Sequence, residues 1–183
     1  MTDWIKCGVI AWLSADGYGE DESVLVYFRG TSLASMAEGL VALHRPPLAH
    51  GNDPAPGDWG VIVHSLHNPS RDDYGGIDYR KLCPQGVELV VFVPNPCIGK
   101  SHGPKAYHYR DGRTSSCIDY EGPEYVGEYW PNELAPVIAA AGLNYTSSDF
   151  EQQLTQLLCD HLGLPALDPG SLTIDHDLVS AHL

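Results

Sequence analysis

Basic residues are scarce in this sequence. Its 183 residues include 10 lysines and arginines against 24 aspartates and glutamates, which gives a formal net charge of −14. A surface this acidic repels the phosphate backbone of nucleic acids and attracts basic molecules. The composition therefore argues against general nucleic-acid binding and favours a basic partner.

Long apolar runs and paired cysteines are also missing. No stretch approaches the roughly 18 apolar residues of a membrane-spanning helix. The chain begins Met-Thr-Asp-Trp, without the basic and apolar regions of a secretory signal. The cysteines are odd in number and none form a CxxC pair (Cys7, Cys83, Cys97, Cys117 and Cys159). Free thiols in a reducing compartment fit this pattern, so we expect a cytoplasmic protein that does not bind membranes.

Motifs with established catalytic chemistry are absent as well. The sequence contains no GxGxxG, Walker loop, GxSxG, HExxH or EF-hand pattern, each of which would place reactive groups or phosphate-binding amides at a fixed spacing. This absence favours a binding function, while leaving a small enzyme with a less regular site as the alternative.

The first half of the chain predicts strands joined to one helix. Residues 23–28 (SVLVYF) are rich in β-branched and aromatic side chains and predict a buried strand. Thr31-Ser32 then offers an N-cap for a helix that ends before Pro46-Pro47. Residues 44–57 predict a surface loop, residues 58–65 and 87–93 predict strands, and Asp111-Gly112 predicts a type I′ hairpin.

Two helices are predicted near the C-terminus. Asn132 caps the first, which Gly142 ends; Ser147 or Ser148 caps the second, which Gly163 ends. Strands in the middle with helices at the ends predict one α+β domain over residues 1–183, a mostly antiparallel sheet flanked by helices. We expect the helices to cover one face of this sheet and residues 164–183 to form a short strand or a loosely packed tail.

The order of motifs resembles a widespread family of uncharacterised actinobacterial domains. The matching segments cover about residues 10–183 and are IAWL, VYFRGTSL, GDWGVIV, GVELVVFVPN, YHYRDGR and LLCDHLGLPAL. The chain departs from the family in the long loops HRPPLAHGNDPAPG and CIGKSHGPK. The resemblance implies a cytoplasmic accessory protein and brings no established activity or catalytic residues.

Histidines and a cysteine near the predicted strand ends are candidate metal ligands. His64 and His67 form an HxxH at the end of one strand, and Cys97 and His102 lie in the loop after another. Thiolate and imidazole together suit Zn or Cu. Cys97 or Cys83 with one of these histidines is also a candidate nucleophilic pair. The competing interpretation is ordinary loop histidines and a buried thiol.

Arg29 is a candidate for anion binding because it ends a strand just before a helix N-terminus. Arginine in this position more often pairs with a carboxylate, for which the acidic run at residues 20–22 offers partners. We favour the structural ion pair.

The acidic aromatic segment at residues 119–133 is the strongest binding candidate. Aromatic side chains supply rigid contact area, and acids steer a basic partner. The residues that we expect to contact it are Glu121, Glu124, Tyr125, Glu128, Tyr129 and Trp130. Because residues 114–183 contain 11 acids and no lysine or arginine, we expect a non-enzymatic protein that occludes a basic protein partner, as immunity or conflict-associated proteins do, and that needs no cofactor. The alternative is a small, metal-dependent enzyme that uses the His/Cys loops.

Overall fold

The computed structural model describes residues 23–68, 76–93, 104–121 and 131–174. Within these ranges seven strands form one antiparallel sheet in the order β6-β5-β4-β1-β3-β2-β7. The strands are β1 Ser23–Arg29, β2 Pro47–His50, β3 Gly60–Ser65, β4 Glu88–Val93, β5 Lys105–Arg110, β6 Arg113–Asp119 and β7 Thr173–Ile174. The helices are α1 Leu33–Ala42, α2 Ala135–Ala141 and α3 Phe150–Leu162, with short 3₁₀ turns at Tyr79–Leu82 and Pro169–Ser171. The predicted α+β fold with two helices near the C-terminus is confirmed.

Helices cover both faces of the sheet, not one face as predicted. Successive residues of a strand point to opposite faces, and the central strands β1 and β4 are apolar at nearly every position. One face packs against α1 and the turn Tyr79–Leu82 through Met36, Leu40 and Leu82. The other packs against α2 and α3 through Ile138, Leu154 and Leu158. Near-continuous apolar strands require this second cover, because one layer would leave half of their side chains in water.

Local sequence signals set the ends of α1 and of the β5–β6 hairpin. The Ser32 hydroxyl accepts a hydrogen bond from the Ser35 amide at 3.2 Å, so the predicted N-cap of α1 is confirmed. Asp111 and Gly112 have φ angles of 52° and 76°. Both central residues of a type I′ turn need positive φ, and the Asp-Gly pair supplies them.

Strand β2 lies inside the segment that the sequence predicted to be a surface loop. Leu48 and Ala49 are fully buried there, because β2 pairs with β3 on one side and with β7 on the other. Pro47 stands at the first position of β2, where a missing N–H is tolerated. The high proline and glycine content around β2 concealed a strand whose partners are distant in sequence.

The C-terminal region also differs in detail from the prediction. The N-cap of α2 is Leu134 rather than the predicted Asn132. The N-cap of α3 is Asp149 rather than Ser147 or Ser148. Gly142 and Gly163 end these helices in the left-handed conformation, as predicted. Within residues 164–174, Leu164 and Leu172 are buried and β7 joins the sheet. No helix in the described ranges is both long and apolar enough to cross a membrane.

Candidate functional site

The predicted metal ligands divide between described and undescribed parts of the chain. His64 lies on β3 and is fully buried, while His67 follows that strand and is half-buried. Cys97 and His102 lie outside the described residues. In the part of the chain that the structure describes, no three His, Cys, Asp or Glu side chains come together as a metal site would require. The zinc or copper site therefore stays a prediction.

Both ring nitrogens of His64 are already engaged. The Nδ1 atom lies 2.8 Å from the Ser65 carbonyl oxygen, and the Nε2 atom lies 2.9 Å from the Tyr79 hydroxyl. Because a carbonyl only accepts, Nδ1–H donates to Ser65 and Nε2 accepts from Tyr79. The pKa of His64 is lowered to about 4, mainly by burial and also by the nearby Arg45 cation, against the opposing effect of the Ser65 contact. His64 is thus a neutral core side chain in this conformation.

Arg29 forms the structural ion pair that the sequence favoured, but with a different carboxylate. Its Nε donates to Glu88 Oε2 at 2.7 Å across the β1–β4 pair, and its guanidinium lies 4.5 Å from the centre of the Trp59 ring. The suggested partners at residues 20–22 lie outside the described residues. Register between two distant strands, rather than proximity in sequence, selects Glu88.

A polar network that sequence reasoning missed extends from this ion pair. His108 Nε2 lies 2.6 Å from Glu88 Oε1, and the Ser115 hydroxyl lies 2.8 Å from His108 Nδ1. Arg110 donates to the same Glu88 oxygen at 3.0 Å. The chain of hydroxyl, imidazole and carboxylate has the connectivity of a catalytic triad. No sequence signal links these residues, because they meet only through the register of β4, β5 and β6.

Burial makes this network a structural one. Ser115 and His108 are 2% and 3% exposed, so a substrate does not reach the hydroxyl. Burial opposes ionisation of Glu88, but hydrogen bonds from His108, Arg29 and Arg110 outweigh it and hold its pKa below the usual value. Burial lowers the pKa of His108 despite the opposing effect of Glu88. The hydrogen bonds and ion pairs of this cluster connect strands β1, β4, β5 and β6.

The α2–α3 layer, residues 131–174, carries an unbalanced negative charge. It contains five acids and no lysine or arginine, a formal charge of −5. The acids are Glu133, Asp149, Glu151, Asp160 and Asp168. Asp149 accepts from Gln153 at 2.7 Å and Asp160 accepts from Gln156 at 2.8 Å. These donors are uncharged, so they leave the negative charge in place.

An exposed aromatic side chain lies within this acidic layer. Among the described residues, Val41 and Tyr145 are the large hydrophobic side chains that remain exposed, each at 51%. Tyr145 lies between α2 and α3, edge-on to Phe150 with ring centres 5.0 Å apart. An exposed tyrosine on a layer with net negative charge is a surface suited to contact another protein.

The predicted partner-binding segment is described only at its ends. Glu121 is exposed, as that prediction needs. Glu124, Tyr125, Glu128, Tyr129 and Trp130 lie outside the described residues. Two neighbours do not contribute free surface: Asp119 pairs with Lys105 at 2.6 Å, and Tyr120 is buried with its hydroxyl 2.6 Å from Thr155 Oγ1.

Known proteins offer no assignment for this arrangement. Comparison with protein-family models, with curated proteins and with solved structures finds no match. The resemblance to the actinobacterial domains stays a prediction, and the function has to be argued from the surface and its charge.

Proposed function

We propose that this protein binds a basic protein partner through its α2–α3 layer and thereby occludes the partner's functional surface. The observation that carries the proposal is the charge of residues 131–174, which hold five acids and no lysine or arginine. Exposed acids raise the association rate of a basic partner, and an aromatic side chain among them supplies contact area. Immunity and conflict-associated proteins act in this way.

The position of Tyr145 supports the proposal. It lies in the connection between α2 and α3, and half of its surface is exposed. Tyrosine combines an apolar ring with a hydrogen-bonding hydroxyl, which explains its enrichment in protein interfaces. The predicted contact residues Glu121, Glu124, Tyr125, Glu128, Tyr129 and Trp130 would extend this surface.

A cytoplasmic setting and the absence of a cofactor are parts of the same proposal. Cys83, Cys117 and Cys159 are free thiols, as in proteins of reducing compartments. Occlusion of a basic partner needs shape and charge but no bound metal. The acidic surface also disfavours nucleic acid as the ligand.

The test is an affinity capture from native lysate with matched charge variants. The test variant is Glu133→Lys with Asp160→Lys, which changes the net charge by four on the α2–α3 layer. The control makes the same change on α1 with Ala34→Lys, Glu38→Lys and Val41→Lys, all at exposed positions. We expect a stoichiometric basic protein to be retained by the wild type and the control, lost by the test variant, and released by salt. Equal capture by both variants would contradict the proposal.

A further inference from the structure

A cavity of about 410 Å³ lies between the sheet and α3. Its floor is formed by Leu25, Tyr27, Val63 and Phe92, and its wall by Thr155 and Cys159. The segment after α3, residues 164–167, closes the far side. Volumes of roughly 300–1,000 Å³ with mainly apolar linings are typical of small-molecule sites.

The cavity contrasts with the close packing around it. Phe92 and Val63 on its floor are about 1% exposed, and Leu154 and Leu158 of α3 are buried beside it. Protein interiors leave few voids larger than a water molecule. The lining combines apolar side chains with the polar side chains of Gln152, Thr155, Gln156 and Asp160. A ligand with an apolar body and a hydrogen-bonding group suits such a space.

The lining also restricts the charge of a ligand. Asp160 is the one charged residue among the described residues that line the cavity, and it is acidic. An anion would therefore be buried without a counter-charge, which is costly. The Cys159 thiol is protonated at neutral pH, since burial raises its pKa to about 11 with a further contribution from Asp160. Asp160 is exposed and so offers a cation a partner only at the solvent edge of the cavity. Because burial of either charge away from a partner is costly, an uncharged ligand suits the interior of the cavity.

Two features of the floor favour an aromatic ring with one hydrogen-bond donor. Tyr27 and Phe92 lie edge to face, with ring centres 6.3 Å apart, and offer further aromatic contact. The Tyr27 hydroxyl donates to the Pro165 carbonyl at 3.3 Å, which is long for an O–H···O bond. Because a carbonyl oxygen has two lone pairs, a ligand donor can bond to the Pro165 carbonyl beside the Tyr27 hydroxyl.

We propose that the cavity beneath α3 binds a small, uncharged aromatic molecule that donates one hydrogen bond to the Pro165 carbonyl. The site lies under the acidic layer but does not depend on a protein partner. Failure of either proposal leaves the other standing.

Indole is the probe for this site, and indole-3-carboxylate is its anionic control. We expect isothermal titration to show saturable binding of one indole per chain and binding of the carboxylate weaker by about tenfold or more. Cys159→Phe fills part of the cavity from α3 and should lower the affinity for indole by a similar factor. Val41→Phe adds the same ring on exposed α1 and should leave binding unchanged. Absence of saturable binding, or equal affinity for Cys159→Phe and the wild type, would overturn the proposal.

Methyl NMR of the wild-type protein tests the same binding site and does not depend on the folding of a variant. Indole should shift the methyl resonances of Leu25, Val63 and Leu164, which line the cavity, and leave Leu40 on the opposite face of the sheet unchanged. Shifts of equal size at Leu40, or none at the three lining residues, would overturn the site.

Discussion

The α2–α3 layer differs in charge from the rest of the described protein. The described residues outside the α2–α3 layer, 23–68, 76–93 and 104–121, hold eight acids and seven lysines and arginines, a formal charge of −1, whereas residues 131–174 carry −5. The α1 side buries Phe28, Met36 and Leu40 at 2% exposure or less. The α2–α3 side contains the 410 Å³ cavity and exposed Tyr145. Both faces of the sheet bury an apolar core. The α1 side also has a cavity, of about 380 Å³, lined in part by Tyr79, Tyr107 and Tyr109. Charge, rather than packing, therefore distinguishes the α2–α3 layer.

The largest expected effect compares a side chain at the centre of the α1 core with one that lines the cavity beside α3. Leu40→Ala on the α1 side should lower the free energy of unfolding by about 3 kcal/mol, because a new hole opens in a close-packed core. Leu164→Ala beside the cavity should cost only about 1.5 kcal/mol, because that side chain already lacks neighbours on one side. Urea unfolding of both variants measures these values. Equal losses would mean that Leu164 is packed as closely as Leu40, which would contradict an open cavity beside it.

The second prediction concerns pH and the α1 side. Because the folded state lowers the pKa of His64 to about 4, the unfolded chain binds more protons below its own pKa of about 6.5. Stability is therefore fully present above that pKa and is lost as the pH falls. Between pH 7 and roughly pH 4.5 the loss through His64 should be about 2 kcal/mol.

The variant His64→Gln isolates this contribution. Urea unfolding at the two pH values should show a smaller acid-induced loss for the variant than for the wild type, since Glu88 and His108 titrate in both proteins. The same dependence in the two proteins would show that His64 is not held neutral in the folded core.

The third prediction separates binding from stability on the α2–α3 side. Tyr145→Ala should change the free energy of unfolding by less than about 1 kcal/mol, because half of the ring is already exposed. The same substitution should weaken binding of the captured partner by about 1–2 kcal/mol, mainly through faster dissociation. Surface plasmon resonance and urea unfolding measure the two quantities. An unchanged dissociation rate would remove Tyr145 from the interface.

Several features set by neighbouring residues were predictable from the sequence, although the N-caps of α2 and α3 were not. Features set by strand register were not predictable. Ser32 and Asp111-Gly112 act on their own turns, so the α1 cap and the hairpin could be predicted. Strand β2 needed its partners β3 and β7. The network of Glu88, His108 and Ser115 could not be predicted, because it depends on which residues the strands pair. Glu88 and His108 are 20 positions apart in the chain, and His108 and Ser115 are 7 apart. The acidity of the α2–α3 layer was visible in the composition, whereas the exposure of Tyr145 required the fold.

The association rate of the captured partner tests the central claim most directly. It should be measured by stopped flow for the wild type, for Glu133→Lys with Asp160→Lys, and for the α1 control with the same change in net charge. We predict that the rate falls by about tenfold for the test variant at low salt, that the control retains most of the wild-type rate, and that the difference shrinks as salt screens the charges. Equal rates for the two variants would contradict the account, because net charge alone, and not the α2–α3 layer, would then govern binding.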